Sequence, residues 1–183
     1  ASSQEEFQPF DDDLIKYEEI TDRYEKEIAA YLNEATTREM SHEATVRVKE
    51  FYRIIGELES IGDSGETIGK IIARAWAHEK QFTPDMKQKL GRMCDLMDVA
   101  FDAMHVNLET PSVHIQDITN AEQAEENINN YRDRLREEHL SNVEKASYPY
   151  ETGSFYMDLV NCFEKMGDFI INISQSVIGT RNA

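Results

Sequence analysis

The apolar residues of this chain recur at helical spacing in five long segments, and no segment shows a clear period-two alternation. Turn residues separate the segments, while glycine and proline are scarce overall, with 8 and 4 copies. Thr83 is expected to cap the third helix because Pro84 follows at the first helical position. We therefore predict an all-α fold, an antiparallel up-and-down bundle of about five long helices joined by short loops. The predicted helices span about 12–33, 41–80, 83–108, 120–145 and 152–178.

The domain organisation follows from the same pattern. Residues 1–11 precede the first periodic segment and are predicted to form a linker or a disordered N-terminal segment. Residues 12–182 are enough for one helical bundle with its own core. No apolar run approaches the roughly 18 residues that a membrane span needs, so we expect no direct membrane insertion of this segment.

The charge balance narrows the choice of partners. The chain has 36 acidic and 19 basic residues, and its net charge is −17. This excess argues against nucleic acid as a partner, and against direct capture of phosphate unless metal ions reverse the local sign. An acidic surface favours cations instead. Cys94 and Cys162 fall among apolar residues and are predicted to be buried free thiols in a reducing compartment.

Residues 57–70, ELESIGDSGETIGK, superficially match a phosphate-binding loop. That motif requires a glycine where this chain has Ser64 and a hydroxyl residue where it has Ile71, so the match fails. The stretch fits a helix interior instead, in which Gly65 would let a neighbouring backbone come close. The apolar positions of this helix form a seam: Ile54, Leu58, Ile61, Gly65, Ile68 and Ile72.

A second copy of this pattern occurs 105 residues later, in FEKMGDFIINI at 163–173. The acids, the glycine and the apolar register repeat together, and the preceding helices correspond at a shift of 107. We therefore predict two related repeats, at about 12–110 and 117–180, with the third helix between the two helical hairpins. The matched pairs include Glu59/Glu164, Gly62/Gly167, Asp63/Asp168, Glu18/Glu125, Asp22/Asn129, Tyr24/Tyr131 and Ile28/Leu135.

The repeated acids are candidate metal ligands. Two acids four positions apart lie on one face of a helix, at the edge of the apolar seam. Carboxylate oxygens at a partly dry interface suit a hard or borderline cation. The predicted ligands are Glu59, Asp63, Glu164, Asp168, Asp22, Glu18 and Glu125. The alternative is that these acids are solvated helix faces, which a chain this acidic will contain by chance, and both interpretations stay open.

Other chemistries have little support. The five histidines lack the spacing of zinc ligands, and nothing indicates a nucleophile with a paired base. We therefore expect a non-catalytic protein rather than an enzyme. An interaction module in which the acids serve only solubility is the alternative without metal.

The doubled motif, LESIGDSGETI and FEKMGDFIINI, resembles the repeated E(D)xxxD signature of the PhoU family. The second half, with YRDRLREEHL at 131–140 and GSFYMDL at 153–159, is similar to the PhoU-like cytoplasmic tail of bacterial Na/Pi cotransporter family proteins. The resemblance extends from about residue 12 over nearly the whole chain. It implies a helical fold of two related repeats, with iron or zinc held by the motif acids in some members.

The resemblance also implies a function and a location. We expect a regulatory domain of sodium-dependent phosphate transport that lies, as a soluble domain, on the cytoplasmic face of the inner membrane. Its implied partner is a membrane transporter domain, in cis or as a separate subunit, and a second copy of the chain is a further candidate. Iron, zinc or manganese at the acids, with phosphate bridging, would alter the docking. A free-standing PhoU-type regulator of phosphate uptake is the alternative within the family.

Overall fold

The protein is all-helical, as the sequence predicts. The computed structural model describes residues 4–37, 39–111 and 114–179, without the side chains of residues 4–9 and 11. Within these ranges it contains five long helices and no β-strand. They are α1 (Gln4–Ala35), α2 (His42–Ala77), α3 (Pro84–Glu109), α4 (Thr119–Glu144) and α5 (Tyr150–Gly179).

Local sequence signals fix several helix ends. The Ser41 hydroxyl accepts a hydrogen bond from the Ala44 N–H at 3.1 Å, and the Thr83 hydroxyl accepts one from the Met86 N–H at 3.2 Å. Each cap satisfies a backbone donor that has no partner inside its helix. Helix α1 begins at Gln4 and so includes most of residues 1–11, the segment predicted to be a linker or disordered. A helix that is already nucleated is extended at little cost, even where apolar residues are sparse.

Helix α5 is the centre of the packing and contacts α2, α3 and α4. Helices α3 and α4 also pack against each other, whereas α1 packs extensively only against α2. Specific contacts join neighbouring helices. The Tyr52 hydroxyl of α2 donates to the Ala29 carbonyl of α1 at 3.0 Å, and the Asn172 amide of α5 donates to Glu57 of α2 at 3.1 Å.

The core lies mainly among α3, α4 and α5, where the side chains of Met93, Val160 and Ile173 are completely buried. The apolar seam predicted for α2 is less buried than expected, and only Ile54 of its six members is fully inside. Because α2 packs against α1 on one side and α5 on the other, its buried residues other than Ile54 lie off the predicted line. These are Ile55, Ser64, Gly69, Ile71 and Ala75.

The prediction that both cysteines are buried fails for one of them. Both are free, but Cys94 is exposed on α3 and Cys162 is only partly buried. On α3, Met93 and Met97 face the core of the protein. Cys94 follows Met93 directly and therefore points to a different side of the helix, outside the core. The buried-thiol prediction for Cys94 is therefore wrong.

The close approach between α1 and α2 occurs at Gly62 and not at Gly65. A Cβ atom added at Gly62 would overlap the Thr21 hydroxyl, which donates to the Glu18 carbonyl at 2.8 Å. A Cβ at Gly65 would meet only Leu14, at an ordinary 3.6 Å. The matched Gly167 lies in the same way against α4, where a Cβ would sit 3.2 Å from Ile128.

Gly62 and Gly65 should respond in opposite ways to replacement by alanine. Gly62→Ala is expected to lower the free energy of unfolding by about 1–2 kcal/mol, because overpacking against Thr21 exceeds the gain in helix propensity. Gly65→Ala should raise it by up to about 1 kcal/mol, since the added methyl has room. Urea denaturation of both variants measures the difference. Equal effects at the two positions would contradict the packing described here.

None of the helices in the described ranges is long and apolar enough to cross a bilayer.

Candidate functional site

Four of the predicted acids come together between α1 and α2. Helix α1 supplies Glu18 and Asp22, and α2 supplies Glu59 and Asp63, in the register that the Gly62–Thr21 contact sets. The negative charge of Asp63 reaches Glu18 across the interface, and that of Asp22 reaches Glu59. We call Glu18, Asp22, Glu25, Glu59 and Asp63 the first acidic site.

The first acidic site holds carboxylates that repel one another. Burial raises the pKa of Glu59 above its ordinary value of 4.5, and the charges of Asp63 and Glu25 raise it further. The pKa of Glu18 is also raised, first by desolvation and then by the charge of Glu66 and of its other acidic neighbours. The fold therefore keeps several like charges close together at this interface.

The lysines nearby neutralise only the edges of this site. Lys26 forms an ion pair with Asp22, and Lys70 pairs with Glu66 at 2.5 Å. Both are pairs within one helix that reach into solvent, a type worth only a few tenths of a kcal/mol. In the part of the chain that the structure describes, no ion pair joins a basic side chain to Glu59 or Asp63. The site thus carries a negative charge that is not balanced internally.

This charge gives a pH prediction. A carboxyl group whose pKa is raised by folding stabilises the fold below its ordinary pKa, and this contribution is lost as the pH rises through the raised value. The wild-type chain should therefore lose stability from about pH 4.5 upwards through this group. Glu59→Gln removes the titration, so the variant should lose less stability than the wild type over the same range.

Thermal unfolding at a series of pH values measures this effect. Glu109→Gln is the matched control, because it removes an exposed carboxylate at the end of α3. Parallel pH profiles for the wild type and Glu59→Gln would contradict the raised pKa.

The three remaining predicted acids lie at a second place, between α4 and α5. There the Asn129 amide donates to Glu125, and the Arg132 guanidinium forms an ion pair with Glu164. The Arg132 and Glu164 side chains are both about one-fifth exposed, at 21% and 19%. We call Glu125, Asn129, Arg132, Glu164 and Asp168 the second acidic site, and its central charge is neutralised from within.

The pKa of Glu164 reflects this competition. Burial raises it most, the positive charge of Arg132 lowers it, and the nearby Asp168 raises it again. A guanidinium hydrogen-bonded to a partly buried carboxylate takes the place that a cation would otherwise fill. Metal binding by the acids of this second site stays a prediction, and it would require Glu164 to release Arg132.

The two acidic sites differ at matched positions. Where the first has Asp22 and Glu25, the second has Asn129 and Arg132, at the same shift of 107 residues. Arg132 is not among the predicted site residues, because only acids were considered as candidate ligands. The signal was present in the sequence, since the shift of 107 that pairs Asp22 with Asn129 also pairs Glu25 with Arg132.

Neither site presents a preformed metal centre. Across the described ranges, no group of three or more His, Cys, Asp and Glu side chains is arranged to hold a metal ion. Ligation at the first acidic site would require its carboxylates to change rotamer and Asp22 to release Lys26. Metal binding stays a prediction, and the first acidic site has the donors that fit it.

Comparison with known proteins returned no similar protein: no family model, curated protein or solved structure matched the chain. The resemblance to the PhoU family therefore stays a prediction that rests on the motifs quoted above.

Proposed function

We propose that this chain is a non-catalytic regulatory domain of sodium-dependent phosphate transport, which acts by docking onto a membrane transporter. The observation that carries the proposal is the meeting of α1 and α2 carboxylates around Glu59, whose pKa is raised. This site is built from the repeated motif that resembles the PhoU signature. On this proposal the five helices form an antiparallel bundle of two related repeats, which faces the cytoplasm at the inner membrane.

The first acidic site is the proposed cation site. Glu18, Asp22, Glu59 and Asp63 would hold the ion, and these oxygen donors suit manganese or iron better than zinc. The bound cation would supply the positive charge that offsets the repulsion among these carboxylates. Two of these acids, Glu18 and Asp22, lie on α1, the helix that packs extensively only against α2, so the charge balance of the site acts on a helix with one extensive packing partner.

An interaction module without metal is the second candidate. The observation that favours it is the Arg132–Glu164 ion pair, which satisfies the second motif without any ligand. If the first site behaved in the same way, the acids would serve solubility and positioning only. The two candidates differ in what the acids of α2 do.

Substitution of the two motif pairs separates these functions. Glu59→Ala with Asp63→Ala is expected to change the phosphate dependence of sodium-driven uptake in cells that carry the transporter. Glu164→Ala with Asp168→Ala, the matched pair, should leave it close to wild type, because Arg132 already neutralises that site. Elemental analysis of the protein purified without chelator should show manganese, iron or zinc in the wild type and in the second variant only.

Two outcomes would count against the proposal. Intact transport regulation in both double variants would favour the interaction module. A wild-type protein that contains no bound metal, and whose melting temperature does not change when manganese, iron or zinc is added, would rule out the cation site.

A further inference from the structure

Helix α1 exposes an unusual number of large apolar side chains. Tyr17, Tyr24, Ile28 and Tyr31 recur at spacings of seven, four and three residues and so share one face of α1, the helix that packs extensively only against α2. Isolated exposed apolar residues are ordinary, but a contiguous set marks an interaction surface. The exposed apolar residues of α1 and α2 are Phe10, Ile15, Tyr17, Tyr24, Ile28, Tyr31, Phe51 and Tyr52.

Three positions of the second hairpin that match exposed apolar residues of α1 and α2 are buried. Leu135 is 1% exposed, whereas Ile28, its counterpart on α1, is 39% exposed. Ala124 is 3% exposed and its counterpart Tyr17 is 60% exposed. On the following helix the same holds, since Tyr156 is 3% exposed and its counterpart Phe51 is 47% exposed. The two hairpins therefore differ in what covers them.

Helix α3 supplies the cover in the second hairpin. The Tyr131 hydroxyl of α4 donates to the Lys89 carbonyl of α3 at 3.4 Å, and the Lys89 ammonium pairs with Glu138 of α4 at 2.6 Å. The methionines on the inner face of α3, among them Met86 and Met93, are buried in this contact. An amphipathic helix thus fills the groove between α4 and α5.

We propose that the equivalent groove between α1 and α2 binds an amphipathic helix of a partner protein, one with an apolar stripe and a net positive charge. We call the residues Tyr17, Tyr24, Ile28, Tyr31 and Phe51 the open face. The apolar stripe of the partner helix packs on these residues, which is the helix-in-groove mode of recognition. The tyrosine hydroxyls of the open face remain at the rim of the groove, where they form hydrogen bonds with water or with polar groups of the partner.

The charge of α1 decides which helix fits. Within Gln4–Ala35 there are eleven acidic residues and three basic ones. Two copies of the open face would bring two such helices together, and like charges at an interface are costly. A second copy also has its own α3 buried against α4 and α5, so this helix is not free to serve. A basic partner helix complements the acidic flanks of the groove.

This inference goes beyond the proposed function because it needs neither a phosphate transporter nor a bound cation. It predicts binding by any helix with the stated chemistry. Failure of helix binding would leave the first acidic site untouched, and failure of the cation site would leave the groove untouched.

A peptide derived from α3 is the natural probe, since its apolar stripe fits the matched groove. We would use a labelled peptide of residues 84–109 with Cys94→Ser, and a second peptide that also carries Asp95→Lys, Asp98→Lys and Asp102→Lys. These three aspartates are exposed on α3, so the stripe is unchanged while the net charge becomes positive. Fluorescence anisotropy with the full chain should show the basic peptide binding at least about tenfold more tightly, with an advantage that added salt reduces.

Variants of the chain locate the binding site. Tyr24→Glu with Ile28→Glu should abolish binding of the basic peptide, whereas Val99→Glu with Leu140→Glu changes two apolar residues elsewhere that are at least as exposed and should preserve it. All four positions are exposed, and far-ultraviolet circular dichroism checks that the helices are retained.

Several results would overturn the inference. One is the absence of binding by the basic peptide, and another is binding that survives Tyr24→Glu with Ile28→Glu. Sedimentation of the chain alone provides the third, because a concentration-dependent dimer that these two substitutions dissociate would assign the open face to a second copy.

Discussion

Leu135→Ala is expected to lower the free energy of unfolding by about 2–5 kcal/mol, whereas Ile28→Ala should cost less than about 1 kcal/mol. The two residues occupy matched positions in the two hairpins, but Leu135 is 1% exposed and Ile28 is 39% exposed. Removing the Leu135 side chain leaves a cavity beneath α3, while the shortened Ile28 side chain already borders solvent. The difference therefore measures the cover that α3 provides.

Urea denaturation of the two variants at one pH provides this comparison. Val99→Ala serves as a further control, because Val99 is exposed on the outer side of α3 and its truncation should change little. Losses of similar size for Leu135→Ala and Ile28→Ala would mean that α1 is covered in solution, which would contradict an open face on the isolated chain.

The second large effect is expected from exchanging the charges of the two acidic sites. Glu25→Arg places a guanidinium beside Glu59, at the position that Arg132 occupies beside Glu164. It should abolish or weaken Mn²⁺ binding at the first site by at least about tenfold, equivalent to ~1.4 kcal/mol. It should also stabilise the chain at neutral pH, because a positive charge replaces the negative charge of Glu25, which raises the pKa of Glu59.

The reverse exchange should create a cation site. Asn129→Asp with Arg132→Glu gives the second site the five carboxylates of the first, so Mn²⁺ should bind there as well. Without metal, this variant should be less stable than the wild type, since Glu164 loses its only basic partner among the described residues. Arg47→Glu is the control for net charge, because Arg47 pairs with Glu43 near the start of α2, away from both sites.

Features that depend on near neighbours in sequence were predictable. The cap at Thr83 forms as predicted, because it requires only a hydroxyl and a backbone N–H three residues later. The helix bounds of α3 to α5 agree to within a few residues, since the apolar period and the intervening turn residues are local signals. Glu59 and Asp22 come close because each lies at a regular position of its helix and a short loop connects α1 to α2.

Features that depend on which helices become neighbours were not predictable from the pattern. Helix α2 has two packed sides, so a single apolar seam could not identify its buried residues or show that Gly62, and not Gly65, is the close contact. The exposure of Cys94 depends on the same choice of inner face. The cover of the second hairpin by α3, which leaves α1 open, follows from tertiary packing that no local period encodes.

We propose that a cation binds between α1 and α2 and not between α4 and α5. Isothermal titration of Mn²⁺ into the metal-free chain measures this binding. We expect one equivalent for the wild type, none or binding at least about tenfold weaker for Glu25→Arg, and two equivalents for Asn129→Asp with Arg132→Glu. A wild-type chain that binds no Mn²⁺, or binding that Glu25→Arg leaves unchanged, would contradict it.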